Sequence, residues 1–204
     1  MIIIGLNQIN NIKMVKDIII FGASGAGQDI LELIQDINKE KKTFNFLGFL
    51  DDNIKKTKTS NIIGNFSDYK KIKNKNTYFA IGIGNEKNFT KKSEIINKIK
   101  IVGKKFPNLI HPNVRLSKDL KIGYGNIIHY GSIISRKNII GNFNLILPLS
   151  VFSHDINLGH FNIINSNCIF GGNLTIKNNN YFGQGSNIRG NLKIGSNNLI
   201  AMGT

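Results

Sequence analysis

The sequence predicts two domains: an α/β N-terminal domain with a small parallel, Rossmann-like sheet, followed by a left-handed parallel β-helix of hexapeptide repeats. Two observations lead to this prediction. A large apolar residue recurs at every sixth position from Ile110 to Ile200 without a miss. Near the N-terminus a strand pattern, a glycine-rich loop and a helical pattern follow one another. We place the boundary between residues 107 and 108, which gives each domain roughly a hundred residues.

The six-residue period distinguishes a β-helix from other repeats, because helices place apolar residues three or four apart and strands place them two apart. Small or narrow residues four positions after the apolar one support the register, as at Asn126, Ser132 and Cys168. Glycine often follows the apolar residue, as at Gly141 and Gly171, where we expect tight corners to need it. Three hexads make one coil, so residues eighteen apart should stack, and the region holds about five coils.

The first domain is predicted from three apolar runs. Residues 17–21 precede the loop Gly22–Gly27 and a helical pattern, an arrangement that aims backbone N–H groups at an anion. The loop spacing is G-x-x-G-x-G, which departs from the dinucleotide fingerprint. Residues 44–50 end in two aspartates, and residues 77–83 end among glycines. Such strand ends form a ligand crevice in parallel sheets, so a nucleotide moiety is the natural candidate; the plain alternative is a set of tight turns.

Composition narrows the function classes. The net charge of +15 comes from lysines scattered among asparagines, which favours solvated faces or anionic small molecules over a nucleic-acid partner. No segment approaches the ~18 apolar residues of a membrane span. Residues 1–13 lack the features of a secretory signal and are interpreted as a possible extension, so a cytoplasmic location is expected. The single cysteine excludes an internal disulfide, and the four histidines lack metal-ligand spacing, so no metal is expected.

His154 and Asp155 are the candidate catalytic pair. A histidine titrates near neutrality and can act as a general base, and an adjacent carboxylate can fix its tautomer. Gly172 lies eighteen residues later and should place a bare backbone N–H one coil above the imidazole, where it could stabilise an oxyanion. The plain alternative is a surface histidine beside a turn aspartate. His129 and His160 are interpreted as surface residues and His111 as a junction residue.

The ordered motifs resemble the bacterial family of sialic-acid O-acetyltransferases and nucleotide-amino-sugar N-acetyltransferases, which are hexapeptide-repeat acyltransferases. Besides the hexads, they are Phe21-Gly22-Ala23-Ser24-Gly25-Ala26-Gly27, Gly48-Phe49-Leu50-Asp51-Asp52, Ala80-Ile81-Gly82, Ile110-His111-Pro112 and Ser153-His154-Asp155 with Gly159.

The resemblance implies a homotrimer with acetyl-CoA as co-substrate in the cleft between neighbouring β-helices, and no metal. It implies that His154 is the base, that Asp155 is its acidic neighbour and that Gly172 is a backbone donor near the thioester carbonyl. The remaining implied contacts are Ile163 and Gly190 for the cofactor, and Ser24, Gly25, Asp51, Asp52 and Gly82 for the nucleotide-linked substrate.

Three departures from the family pattern stand out. Ala26 replaces a loop histidine, and Ile163 replaces a second histidine nine residues after the base, for which His160 could substitute. The sequence also ends at Thr204, before the coil and tail that usually follow and that contribute to the CoA-binding end.

The preferred hypothesis is acetyl transfer from acetyl-CoA to the amine of a nucleotide-linked 4-amino-4,6-dideoxysugar, by direct attack with His154 as general base. One alternative is O-acetylation of a free sugar such as sialic acid. Another is a non-catalytic β-helix scaffold that serves only assembly.

Overall fold

The computed structural model describes residues 15–53 and 61–204. Residues 1–13, interpreted from the sequence as an extension, lie outside the described residues. The described chain forms an α/β domain followed by a left-handed β-helix, which confirms the predicted fold class.

The α/β domain contains a four-stranded parallel sheet. Its elements are β1 (Lys16–Phe21), α1 (Gly25–Glu40), β2 (Phe44–Leu50), β3 (Ile62–Gly64), β4 (Thr77–Ile81) and α2 (Lys91–Lys98). The strand order is β3-β2-β1-β4, so β1 is central. Three elements were not predicted from the sequence: the short strand β3, the 3₁₀ turn Phe66–Lys71 that follows it, and the 3₁₀ turn Gly103–Lys105.

The central strand separates two apolar layers. Ile18 and Ile20 pack with Ile30 and Leu33 of α1 on one side of the sheet. Ile19 and Phe21 pack on the opposite side, in a cluster that includes Ile96 of α2. Alternate residues of β1 therefore face different helices, as expected for a parallel sheet covered on both faces.

The β-helix consists of sixteen short strands numbered in chain order. They are β5 (Leu109–Ile110), β6 (Arg115–Leu116), β7 (Lys121–Ile122), β8 (Ile127–Ile128), β9 (Ile133–Ile134), β10 (Ile139–Ile140), β11 (Leu145–Ile146), β12 (Val151–Phe152), β13 (Ile156–Leu158), β14 (Ile163–Ile164), β15 (Ile169–Phe170), β16 (Leu174–Ile176), β17 (Tyr181–Phe182), β18 (Asn187–Ile188), β19 (Lys193–Ile194) and β20 (Leu199–Ile200).

Every third strand belongs to the same parallel sheet, so the β-helix is a three-sided prism. We call the six-stranded sheet that starts at β5 the docked face, the five-stranded sheet that starts at β6 the front face, and the five-stranded sheet that starts at β7 the back face. Strand partners are eighteen residues apart, as in the pairing of Val151 with Ile169 and of Phe152 with Phe170. The predicted stacking is confirmed.

The interior is apolar at the predicted hexad positions, and it also contains a hydrogen-bonded column of amides. Residues such as Ile128, Ile146, Phe152 and Phe170 are at most 1% exposed. The asparagine ladder comprises Asn126, Asn144, Asn162, Asn180 and Asn198. Each amide nitrogen donates to the side-chain oxygen eighteen residues earlier, at 2.9–3.2 Å, with Asn108 as the first acceptor.

The corners need the repeat glycines, as expected, although not for a left-handed backbone. The left-handed conformation occurs three residues after the apolar position, for example at Lys137 (φ 59°), Phe143 (φ 58°) and Asp155 (φ 57°), whereas Gly141 and Gly171 do not adopt it. These glycines are needed for close approach between coils. A Cβ at Gly141 would lie 2.5 Å from the carbonyl oxygen of Gly159.

The docked face packs against the α/β domain. Its outward-facing residues Leu109, Ile127, Leu145 and Ile163 are buried in the same cluster as the apolar residues of α1. This contact leaves the corner between the front and back faces exposed.

Candidate active site

His154 lies at the corner between the front and back faces, between β12 and β13. Its Nδ1 is 2.7 Å from Oδ2 of Asp155. Since a carboxylate accepts hydrogen bonds, this contact places the proton on Nδ1 and leaves the Nε2 lone pair available as an acceptor. The imidazole and the carboxylate are 48% and 41% exposed, so solvent or a ligand can reach both.

Gly172 lies directly against the imidazole, one coil further along the prism. A Cβ built on Gly172 would be 2.8 Å from Cε1 and 3.0 Å from Nε2 of His154. The backbone N–H of Asn173 also donates to the His154 carbonyl oxygen at 3.0 Å. Within the described residues no hydrogen-bond acceptor contacts the N–H of Gly172. The structure therefore places His154 and Gly172 next to each other, as the sequence predicted, and their roles as base and backbone donor stay predictions.

The same corner continues to Gly190, which lies next to Gly172. A Cβ at Gly190 would meet the carbonyl oxygen of Gly172 at 2.5 Å, so the two residues are in direct backbone contact. We call His154, Gly172 and Gly190 the corner column. On its C-terminal side this column presents bare backbone over two coils, which leaves room for an extended ligand.

The N-terminal side of the column is different. Arg136 and Lys118 precede His154 by eighteen and thirty-six residues, and they occupy the same corner in the two preceding coils. Together with Arg115 they line a 490 Å³ cleft that ends at His154. The sequence analysis did not identify these basic residues, although the eighteen-residue count from His154 would have found Arg136.

The other described histidines have structural roles. Nδ1 of His160 accepts the N–H of Asn142 at 2.9 Å, at a different corner of the prism. His111 contacts Asp36 of α1 through Nε2 at 3.4 Å, which joins the two domains.

The surface assignment of His129 is wrong. Its side chain is buried, and burial lowers its pKa to about 4. His129 precedes Tyr130 at a corner of the docked face, and the α/β domain covers this corner. A hexad pattern does not reveal which corners a second domain covers.

The glycine loop and the end of β4 interlock. A Cβ at Gly82 would lie 2.6 Å from the Cα of Gly27, whereas a Cβ at Gly25 would contact nothing within 4 Å. Ser24 precedes α1 as its N-cap residue, without a side-chain cap. Gly25 and Gly84 line a 200 Å³ cavity between the loop and the docked face. The predicted crevice at this edge of the sheet is therefore present.

Asp51 and Asp52 have different environments. Asp51 is buried, and its two oxygens accept the backbone N–H groups of Ala23 and Asn53, each at 2.8 Å. Asp51 thus fixes the conformation of the glycine loop. Asp52 is exposed, accepts the N–H of Phe66 at 2.8 Å, and lines a 660 Å³ cavity together with Tyr69. The 3₁₀ turn that forms this cavity was missed, although the capping-box residues Asn65 and Asp68 mark its start.

Ile163 lies away from the corner column. It is buried on the docked face, where its Cδ1 would be 2.4 Å from a Cβ at Gly84. Within one chain the structure therefore places Ile163 beside the glycine loop. Its assignment to the cofactor stays a prediction.

Lys92 is a buried charge that sequence reasoning did not single out. Its amine has no hydrogen-bond partner among the described residues, and burial lowers its pKa to about 7. The position falls on the apolar face of α2, four residues before Ile96, so the helical period alone could have identified it.

The first domain is similar to a known sequence family. Residues 17–104 match the family described as the PglD N-terminal domain. The match covers most of the α/β domain. No curated protein sequence matches the chain at a significant level.

Solved structures extend the similarity over the whole chain. The acetyltransferase domain of PglB from Neisseria gonorrhoeae, solved in complex with acetyl coenzyme A, is 22% identical with a TM-score of 0.81, and the match covers 93% of this chain and 90% of that chain. PerB from Caulobacter crescentus, solved with CoA and GDP-perosamine, is 17% identical with a TM-score of 0.79, and the coverages are 93% and 88%. WeeI from Acinetobacter baumannii is 21% identical with a TM-score of 0.76, and the coverages are 91% and 89%.

The family match over residues 17–104 supports the resemblance for the first domain. The solved structures show the same fold over the whole chain. Two further observations concern the described residues alone. No helix among them is long and apolar enough to cross a membrane. No group of three or more His, Cys, Asp or Glu side chains in residues 15–53 and 61–204 is placed to hold a metal ion.

Proposed function

We propose that the protein is an acetyl-CoA-dependent N-acetyltransferase that acts on the amine of a nucleotide-linked 4-amino-4,6-dideoxysugar. The observation that supports this most directly is the corner column. An accessible imidazole is oriented by a carboxylate, and its ring lies against a glycine whose N–H has no acceptor among the described residues. A base beside a free backbone donor suits acyl transfer.

The proton transfer follows from the tautomer of His154. The substrate amine attacks the thioester carbonyl carbon while Nε2 of His154 takes a proton from the nitrogen. Asp155 stabilises the resulting imidazolium through the Nδ1–H contact at 2.7 Å. The C–S bond then breaks, and the imidazolium returns the proton to the departing CoA thiolate. The attack is direct, and no covalent acetyl-enzyme is required.

The backbone of Gly172 serves the other half of the reaction. Its N–H would donate to the carbonyl oxygen of the thioester as negative charge develops there, a contribution that typically changes turnover by 10²–10³-fold. Gly190 extends the bare surface by one coil, where the pantetheine arm of CoA would lie.

The acceptor would be held by the α/β domain. The open N–H groups around Ser24 and Gly25 precede the N-terminus of α1, which favours a diphosphate. Gly82 permits the close approach of the loop, Asp51 fixes its conformation, and Asp52 lies at the adjacent cavity. The PerB structure, which has the same fold, contains CoA and GDP-perosamine, a pair of ligands of the proposed classes.

We further propose a homotrimer in which the front face packs against a neighbouring copy. Outward-facing Ile133, Val151 and Ile169 form an apolar strip along that face, and Ile169 is 45% exposed in the isolated chain. The corner column lies at the edge of this strip, where acetyl-CoA would occupy the cleft between copies. Light scattering after size exclusion tests this assembly, with a mass three times that of the chain expected. A cytoplasmic location accompanies the proposal, because the donor is acetyl-CoA.

The deciding experiment is a transfer assay. The purified protein is mixed with acetyl-CoA and either GDP-perosamine, the corresponding UDP-linked and dTDP-linked 4-amino-4,6-dideoxysugars, or free sialic acid. The expected result is release of free CoA together with a mass increase of the amino sugar by one acetyl group. Acetylation of sialic acid alone, without binding of GDP, UDP or dTDP, would instead favour the O-acetyltransferase.

A thermal melt with acetyl-CoA separates an enzyme from a scaffold. A ligand that binds only the native state raises the melting temperature. No shift at saturating acetyl-CoA, and no transfer to any acceptor, would support the non-catalytic scaffold and overturn the proposal.

A further inference from the structure

The cleft on the N-terminal side of His154 is strongly basic. Arg115, Lys118 and Arg136 all line it, together with the hydroxyl-bearing residues Ser117 and Ser135. Its volume is 490 Å³, and His154 forms one end. A single small acceptor group could therefore contact both the base and the cations.

The two guanidinium groups are unpaired. Within residues 15–53 and 61–204, neither Arg115 nor Arg136 forms an ion pair with a carboxylate or a side-chain hydrogen bond. Both residues are exposed. The charge of Arg136, at the corner, is therefore available to a ligand. Arg115 precedes Ile133 in the same row of the front face, at the N-terminal end of the strip that we propose as the contact between copies, so its charge reaches the cleft beside that contact.

The nearby carboxylates are already engaged. Asp155 contacts Nδ1 of His154. Asp119 accepts the hydroxyl of Ser117 at 2.7 Å and the N–H of Lys137 at 3.0 Å. These bonds lower the pKa of Asp119, and the charge of Arg136 contributes less. The cleft keeps an excess of positive charge.

The position of the cleft assigns it to one of the two substrates. The thioester would lie on the C-terminal side of His154, against Gly172. The cleft lies on the other side of the imidazole, where it is open to the second substrate. The planar fork of an arginine matches the two oxygens of a carboxylate or phosphate.

We propose that this cleft is an oxyanion subsite for the acceptor, in which Arg136 and Arg115 bind a phosphate or carboxylate group of the sugar substrate. The inference rests on the proposed acetyl transfer at His154 and adds the charge class of the acceptor. A phosphate would be the sugar-side phosphate of a nucleotide-linked substrate whose nucleotide-side phosphate meets the glycine loop, and a carboxylate would come from a free acidic sugar. Arg136 positions the substrate, whereas His154, one coil further along the same corner, is the proposed base.

The test compares Arg136→Ala, Arg136→Lys and the matched control Lys42→Ala, which removes one exposed charge in the α/β domain. Three acceptors are used: GDP-perosamine, N-acetylneuraminic acid and methyl perosaminide, which carries neither phosphate nor carboxylate. We expect Arg136→Ala to raise the KM of one anionic acceptor by about tenfold to a hundredfold. The KM for acetyl-CoA and the KM for methyl perosaminide should stay unchanged, and Arg136→Lys should restore part of the loss.

The anionic acceptor whose KM rises in Arg136→Ala shows whether the bound group is a phosphate or a carboxylate. An unchanged KM for both anionic acceptors, or an equal rise for methyl perosaminide, would overturn the subsite. Loss of the oligomer in Arg136→Ala, measured by light scattering, would also overturn it, because Arg136 would then serve a contact between copies.

A binding measurement keeps the inference separate from the proposed function. If the wild-type protein transfers acetyl to none of these acceptors, the acetyltransferase proposal fails, and GDP and N-acetylneuraminic acid are titrated against the protein by NMR. A shift of the His154 imidazole signals that is lost in Arg136→Ala supports the anion subsite. Identical responses in the wild type and the variant reject it.

Discussion

The β-helix and the α/β domain position their candidate site residues by different means. In the β-helix every coil repeats the contacts of the previous one, so an eighteen-residue count places Arg136, His154 and Gly172 at one corner. In the α/β domain each contact occurs once. Asp51, for example, reaches back twenty-eight residues to the N–H of Ala23. A repeat therefore makes site geometry predictable by counting, whereas a single crossover contact requires the tertiary structure.

The two regions also bury polar groups differently. The inner amides of the asparagine ladder have partners both above and below. Lys92 in α2 has a buried amine without a partner among the described residues. A buried polar group with hydrogen-bond partners stabilises the fold, and one without partners destabilises it. Removing such groups in the two regions should therefore change the free energy of unfolding in opposite directions.

The largest expected effect tests whether the corner defined by residues eighteen apart in the β-helix is the catalytic site. His154→Ala should lower turnover by about 10²–10⁴-fold, because the general base is lost. His160→Ala is the matched control, since His160 is six residues away but lies at another corner. Steady-state acetyl transfer measures both variants, and light scattering should show an unchanged oligomer. Near-normal turnover in His154→Ala would remove this residue from the mechanism.

The next effect concerns the asparagine ladder. Asn144→Ala should lower the free energy of unfolding by about 2–4 kcal/mol, because it leaves amide groups of Asn126 and Asn162 without their buried partner. Urea denaturation measures the change. Asn198→Ala, at the exposed end of the ladder, should cost less than half as much. Equal losses for the two variants would show that the column is not a cooperative network.

Lys92→Met tests whether removing a buried amine without a partner stabilises the α/β domain. We expect it to raise the free energy of unfolding at pH 7 by roughly 2–4 kcal/mol, because burial lowers the pKa of Lys92 to about 7 from its ordinary value of 10.5. Between pH 7 and 10.5 the unfolded state binds more protons, so wild-type stability rises with pH in this window. The advantage of Lys92→Met should therefore shrink as the pH approaches 10.5.

Urea denaturation at pH 7 and pH 9.5 checks this prediction, with Lys91→Met on the exposed side of α2 as the control. A destabilised Lys92→Met at both values would mean that the amine has a compensating role in the native state.

The smallest effect measures how tightly the corner column is packed. Gly172→Ala should lower turnover by about tenfold to a hundredfold, because its Cβ would lie within 3.1 Å of three atoms of the His154 ring and displace it. The fold should persist, since Gly172 does not have a positive φ. Gly195→Ala is the control, because a Cβ there meets only Asn198 at 3.8 Å. Turnover close to wild type in Gly172→Ala would indicate that the ring has a second productive position.

The difference between the regions explains which predictions succeeded. The hexad register from Ile110 to Ile200, the stacking of Gly172 on His154 and the strand–loop–helix unit around Gly25 follow from local periodicity and were correctly predicted. The burial of His129 was missed because it depends on how the α/β domain covers the docked face. The need for glycine at the corners was predicted, but its cause, the close approach of neighbouring coils, depends on the distance between coils.

The sequence by itself determined the β-helix, its eighteen-residue stacking and the glycine-rich loop between a strand and a helix, because each depends on residues near one another in the chain. Only the tertiary structure decided that Asp51 anchors the loop, that Ile163 faces the α/β domain, and that Arg115 joins Arg136 and His154 in one cleft. Those relationships arise where separate elements meet. Their physical basis is packing and charge between elements, which the spacing of residues along the chain does not predict.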